Sequence, residues 1–135
     1  MRRIVAAWAR EASYDVVETG AQSEEPYDYP CASDLVAKAV LNGDAEFGVL
    51  VCGTGIGVSI RANRYEGIRA AECTSAEMAE LARRHNYANV LCLGGRILSK
   101  EQGIDILKTF LETEADNAER HARRVEMLDG RCCTD

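Results

Sequence analysis

The chain has 135 residues, 47% hydrophobic and 28% charged, which suits one compact domain with an adequate core, taken here as residues 1–130 with a C-terminal tail at 131–135. A formal net charge of −6 gives no reason to expect binding to nucleic acid or an anionic membrane, although clustered arginines can still make a local site for a small anion. The opening run MRRIVAAWAREAS has neither a signal-type apolar core nor the roughly 18 apolar residues of a membrane span, so a cytoplasmic protein is expected.

Short apolar runs alternate with helical patterns along the chain, as in a parallel sheet wrapped by crossover helices, and the class is therefore α/β. YDVVETG (14–20) reads as a strand. AQSEEPYDYP (21–30), polar with two prolines and two tyrosines, reads as a functional loop. CASDLVAKAVLNG (31–43) reads as a helix with Ser33 or Asp34 as cap, a Leu35, Val36, Ala39, Val40 stripe, and Asn42-Gly43 as terminator. FGVLVC (47–52) and GIRAAEC (67–73) read as strands, followed by a helix over 74–86 opened by a capping box for which Thr74 and Glu77 match better than Ser75 and Met78. ANVLCLG (88–94) is the last strand. Helices over 99–114, with Ile104, Leu107 and Leu111 on one face, and over 115–128, with the basic run ERHARR, complete the pattern.

Six cysteines stand at 31, 52, 73, 92, 132 and 133. Cys52, Cys73 and Cys92 lie in apolar runs, where a reducing compartment makes a buried small hydrophobe a commoner role than a bridge or a ligand. No CxxC and no clustered Cys/His spacing supports a zinc site.

The stretch VCGTGIGVSIRANR (51–64) sets a cysteine at a strand end and three glycines at every second position behind it. A glycine turn from strand to helix presents backbone N–H groups to an anion with no side chains in the way. Gly57-Val58-Ser59 lacks the lysine of a nucleotide-binding P-loop, and Gly53-Thr54-Gly55-Ile56-Gly57 departs from G-x-G-x-x-G. A cysteine phosphatase would need an arginine about six residues on, where Val58 stands. A thiol beside a helix start can serve as a thiolate base or nucleophile; the loop alone leaves that reading and a buried structural cysteine equally open.

The run CGTGIGVSIRANRYEGIRAAECTSAEMAELARRHNYANVLCLGGRILSKEQG (52–103), preceded by DYP (28–30) and followed by ERHARRVEML (119–128), resembles ribose-5-phosphate isomerase B and its galactose-6-phosphate isomerase relatives. The resemblance covers nearly the whole chain and rests on CGTGxGxSIxANR, RxHNxANVLxLGGR and RHxxRV in that order. It implies a Rossmann-like three-layer α/β/α sandwich with a mainly parallel sheet. It also implies aldose–ketose isomerisation of a sugar phosphate, ribose 5-phosphate to ribulose 5-phosphate, through an enediol and without metal or organic cofactor. Cys52 matches the base that takes the C2 proton, in a chain whose Val58 replaces the glutamate used by some members. Thr54, the amides of Gly53, Gly55 and Gly57, and Asn86 match the oxyanion site. His85 matches the residue that opens the furanose ring, Arg96, Arg120 and Arg124 match the phosphate ligands, and Tyr29 matches a substrate-lining position. His121 matches a family position to which no role is given, and Arg61, Arg83, Arg84 and Arg123 read as surface charges. A homodimer or dimer of dimers with shared sites is implied as well.

Family members open with a strand ending in an Asp-His pair, which this sequence does not contain. RRIVAAWAREAS aligns with the helix that follows, with Ile4, Val5, Trp8 and Ala12 on one face; the alternative is a strand over 2–8 paired with 14–20 as a hairpin. The absence motivates a second reading, a phosphosugar-binding or assembly subunit with little turnover.

Overall fold

The computed structural model describes residues 1–20 and 27–130. Residues 21–26 of the expected loop and the tail at 131–135 lie outside them. Among the described residues one sheet forms from β1 (Gly48–Cys52), β2 (Ala70–Glu72) and β3 (Val90–Gly94), in the order β1-β3-β2 and parallel throughout. Every residue of β3 is buried, because this apolar run is covered on both faces. Its side chains alternate between two cores. Leu91 and Leu93 pack with Val5, Ala79, Ala82, Ile106, Leu107 and Phe110, while Val90 and Cys92 pack with Ala37, Leu50, Val58, Ala62 and Ile68.

Helices α1 (Arg2–Glu11), α4 (Ala76–Asn86) and α5 (Lys100–Glu112) therefore cover one face, and α2 (Tyr29–Leu41) and α3 (Ile56–Ala62) the other. The arrangement is the three-layer α/β/α sandwich. A last helix, α6 (Glu119–Leu128), packs against α4 and buries only His121 and Val125. None of the helices is long and apolar enough to cross a membrane.

The opening residues are helical, with Val5, Ala6 and Ala9 buried, so the buried stripe is turned from the Ile4 and Ala12 expected of it. YDVVETG is not a strand. Val16 packs on the core and Val17 is 76% exposed, which is the alternation of an extended segment, but residues 14–20 join no ladder. The Tyr14 N–H is taken by the Ala9 carbonyl and Glu18 is held by Arg10 at 2.7 Å, so the segment is fastened to α1 instead of to a neighbouring strand.

α2 starts two residues earlier than its sequence suggests, with Asp28 as cap residue and Pro30 in its first turn. Ser33 is no cap. Its fully buried hydroxyl donates to Val58 O at 3.2 Å and Tyr29 O at 3.3 Å, tying α2 to α3. Ser75, not Thr74, caps α4 by accepting the Met78 N–H, and with Met78 three residues on no reciprocal capping box can form.

Candidate active site

The carboxyl ends of β1 and β3 are level, Cys52 opposite Gly94, and the chain leaves Cys52 through the glycine loop into α3. Gly55 turns it with φ 84, and a Cβ there would stand 3.0 Å from Glu72 Cγ and 3.1 Å from the Leu93 carbonyl carbon, so only glycine fits. The turn swings the Gly55 N–H back to donate to Cys52 Sγ at 3.2 Å. A donor aimed at sulfur stabilises negative charge on it.

Arg96 follows β3 and is fixed to the same loop, its N–H donating to Gly53 O at 3.0 Å. Its guanidinium lies over Gly53, where a Cβ would come within 3.4 Å of Cζ. Tyr29, the first residue of α2, lays its ring on Gly57, where a Cβ would fall 2.7 Å from the hydroxyl. Tyr29, Thr54 and Arg96 are exposed around the half-buried Cys52. Seven of the expected positions, Tyr29, Cys52, Gly53, Thr54, Gly55, Gly57 and Arg96, thus converge at the carboxyl edge of the sheet.

The remaining expected residues lie at the other edge. α4 runs back antiparallel to the strands and brings His85 and Asn86, its last two residues, to the amino end of β3. α6 lies along that edge, with His121 stacked on His85 near its start, 4.2 Å between ring centroids at 7°, and Asp129 bound by the Arg69 guanidinium at 2.7 and 2.9 Å just beyond its end. Arg120 and Arg124 are exposed on this helix. At roughly 3.3 Å per residue, a five-residue strand separates the two edges by about 13–16 Å, so one chain does not bring His85, Asn86, Arg120 or Arg124 to Cys52.

A family model described as Ribose/Galactose Isomerase matches residues 1–128. The chain belongs to that family. Ribose-5-phosphate isomerase B of Escherichia coli is 38% identical over 128 residues, covering 95% of this chain and 85% of its own. The crystal structure of a ribose 5-phosphate isomerase B from Thermotoga maritima superposes with a TM-score of 0.92 at 44% identity, covering 95% of this chain and 88% of that one. That of the Mycoplasma genitalium enzyme with bound ribulose-5-phosphate superposes with a TM-score of 0.88 at 36% identity, over 94% and 84% of the two chains.

Within this ribose/galactose isomerase fold, two groups went unread in the sequence. Arg83 is not a surface charge. It is half-buried, stacked over Phe47 at 4.5 Å and Phe110 at 5.5 Å, and donates to Ala88 O at 2.7 Å and Thr113 O at 3.2 Å. Arg61 likewise has a partner, forming a two-pronged bond to Asp34 at 2.6 and 3.1 Å. The second group is Asp116, which joins His85 and His121 with all three potential ligand atoms within 4.8 Å of one another. The expectation of no metal-type cluster rested on local Cys/His spacing, and this trio spans 37 positions of sequence, 85 to 121, closed only by the packing of α4 on α6. The hydrogen bond from the Ala118 N–H, chiefly, holds the Asp116 carboxyl below the usual range, with the nearby His121 adding to it. Burial, and then the neighbouring His85, pull the His121 imidazole below its ordinary value.

Proposed function

We propose that the chain interconverts ribose 5-phosphate and ribulose 5-phosphate, with Cys52 as the base and with two copies of the chain combining their opposite sheet edges into each site. The observation that carries the reading is the Cys52 sulfur held under the Gly55 N–H, inside a glycine loop that Arg96 overhangs. In the chemistry the thiolate takes the proton from C2 of the open-chain aldose, and the electrons of that C–H bond move to form the C1–C2 double bond of an enediolate. The O2 hydroxyl proton passes to O1 and the thiol returns its proton to C1, leaving the carbonyl at C2 and a hydroxyl at C1. Charge that grows on oxygen in between is met by Thr54 and by loop N–H groups, which are fixed before the reaction starts.

His85 has the acid–base chemistry for opening the furanose ring, and Asn86 an amide to complete the oxyanion site. Both stand at the far edge in their own chain, as do Arg120 and Arg124. A second copy, related by a two-fold axis, would bring its amino edge against the first chain's carboxyl edge and offer these cations with Arg96 to one phosphate dianion. Free thiols at Cys31, Cys52, Cys73 and Cys92 support a reducing, cytoplasmic setting.

The test is isotope exchange between solvent and C2 of ribose 5-phosphate. The parent should exchange and turn over, and Cys52→Ala should abolish exchange while phosphosugar affinity stays within a few-fold. Undiminished exchange in the variant removes the thiolate from its role. A parent that binds the phosphosugar but exchanges nothing points to the binding-subunit reading.

A further inference from the structure

We propose that His85, Asp116 and His121 form a binding site for a divalent transition-metal cation of the zinc class, at the sheet edge opposite Cys52. Two imidazoles and one carboxylate are the donor set such ions take, with a fourth position left for water or a ligand oxygen. The three donor atoms already lie within 4.8 Å of one another, and around zinc, at bonds of about 2.0–2.1 Å, they would stand roughly 3.3 Å apart.

The independent sign of a ligand is His121. It is 5% exposed, and its Nε2 is buried without any hydrogen-bond partner. Buried polar atoms are almost always partnered, and this one faces Asp116 Oδ2 at 3.6 Å, too long for a hydrogen bond and open enough for an ion to be drawn between them. Asp116 is oriented for the task by its other oxygen, Oδ1, which accepts the Ala118 N–H at 3.0 Å and leaves Oδ2 toward the imidazoles. Backing of this kind is what holds a ligating carboxylate in place.

The adjustment needed is confined to the movable member. His85 is the penultimate residue of α4 and half-exposed, so its ring can tilt from its nearly parallel stack on His121 to bring its nitrogen into the shared position. Arg84 is the competing cation. Its contact with Asp116 is 4.0 Å long, and it already has a better partner in Glu80 at 3.1 Å, both on the exposed side of α4. Arg120 and Arg124, also near, are exposed and can turn to solvent.

A metal on His85 occupies the nitrogen that would otherwise carry a proton to the sugar ring. Resting on the isomerase reading, the site is therefore inhibitory: zinc-class ions should slow turnover of the furanose substrate. The binding itself rests on geometry alone.

Metal-free full-length protein should be titrated with Co2+ followed by its visible absorption, and with Zn2+ by calorimetry. The expected result is one ion per chain with a nitrogen–oxygen spectrum free of thiolate charge transfer, and at least tenfold weaker binding in both His121→Ala and the near-isosteric Asp116→Asn, each checked for folding by circular dichroism. Absence of the Co2+ spectrum at millimolar metal, thiolate charge transfer in it, or an unchanged titration in a folded Asp116→Asn would overturn the site. Ribose 5-phosphate turnover should fall as Zn2+ occupancy rises, and undiminished turnover at full occupancy would overturn the inhibition. A parent with no turnover at all counts against the isomerase reading and removes the inhibition with it, while the Co2+ titration still decides the site.

Discussion

Cys52, Cys73 and Cys92 stand in runs that look alike in sequence, yet the fold gives them different chemistry. Cys73 and Cys92 are fully buried between the sheet and its helices. Burial, with the negative charge of nearby Glu72 adding to it, pushes the Cys73 thiol from its ordinary 9.0 up to about 12 and raises the Cys92 thiol as well. The sign of the consequence follows from proton counting: above pH 9 the unfolded chain gives up thiol protons that the folded chain keeps, so stability falls as pH rises from about 9 toward 12. The urea midpoint should drop over that window, and Cys73→Ala, though less stable at pH 7, should show a shallower drop; an equal slope would remove Cys73 as a cause. At pH 8 a thiol reagent should label exposed Cys31 and half-buried Cys52 in the folded protein and reach Cys73 and Cys92 only on unfolding. Apolar flanks made all three look like core, and for two of them that reading holds. Cys52 differs because it is the last residue of its strand and the left-handed turn at Gly55 returns an N–H to it, a feature set by backbone conformation two and three residues on. Arg83 was illegible for a related reason: its long stem lets the guanidinium lie on Phe47 and Phe110, rings that only the packed layers bring beneath it.

Among the elements, those with two covered faces were the easiest to read. VLVC and VLCLG are unbroken apolar runs that fill both cores, and the structure makes them β1 and β3. YDVVETG, half-apolar with Val16 on the core and Val17 exposed, makes no ladder, because a strand is a property of a pair and the pattern of one segment cannot show whether a partner edge lies beside it. Caps were legible in kind and not in register. Thr74–Glu77 and Ser75–Met78 compete for the start of α4; the structure chooses Ser75, and Thr74 is left touching Met78 Sδ at 3.3 Å. The complete box lies instead at α5, where Ser99 Oγ accepts the Gln102 N–H at 3.1 Å and Gln102 Oε1 accepts the Ser99 N–H at 2.8 Å. Ser99→Ala removes the Oγ that accepts the Gln102 N–H while leaving the backbone Ser99 N–H its bond to Gln102, and should cost about 1 kcal/mol, as an ordinary cap deletion does, whereas Thr74→Ala should cost no more than a few tenths. Chemical denaturation of the two variants side by side measures the difference, and equal losses would mean that the Ser99 side-chain cap at α5 contributes nothing.

On the scale of the whole molecule, the parallel topology itself divides the proposed site. Each crossover helix carries the chain from a carboxyl strand end back to an amino one, so residues that close α4, such as His85, must end opposite those that close β1, such as Cys52. Motif order could not reveal this, since CGTG and RxHN are merely successive in sequence. A site that needs both must take them from two chains, and this has a measurable signature. Cys52→Ala and His85→Ala proteins should each be inactive toward ribose 5-phosphate. In a mixed dimer, one site receives both lesions and the other receives neither, because the intact carboxyl edge of one chain meets the intact amino edge of its partner. Random exchange makes about half the dimers mixed, each with one sound site, so an equimolar mixture should recover roughly a quarter of parental activity. The assay should be run in chelator, to keep cations off His85, and after differently tagged subunits are shown to have exchanged. A mixture as inactive as its components would mean that the two lesions act in the same site of the same chain, and the two-edged site would have to be abandoned.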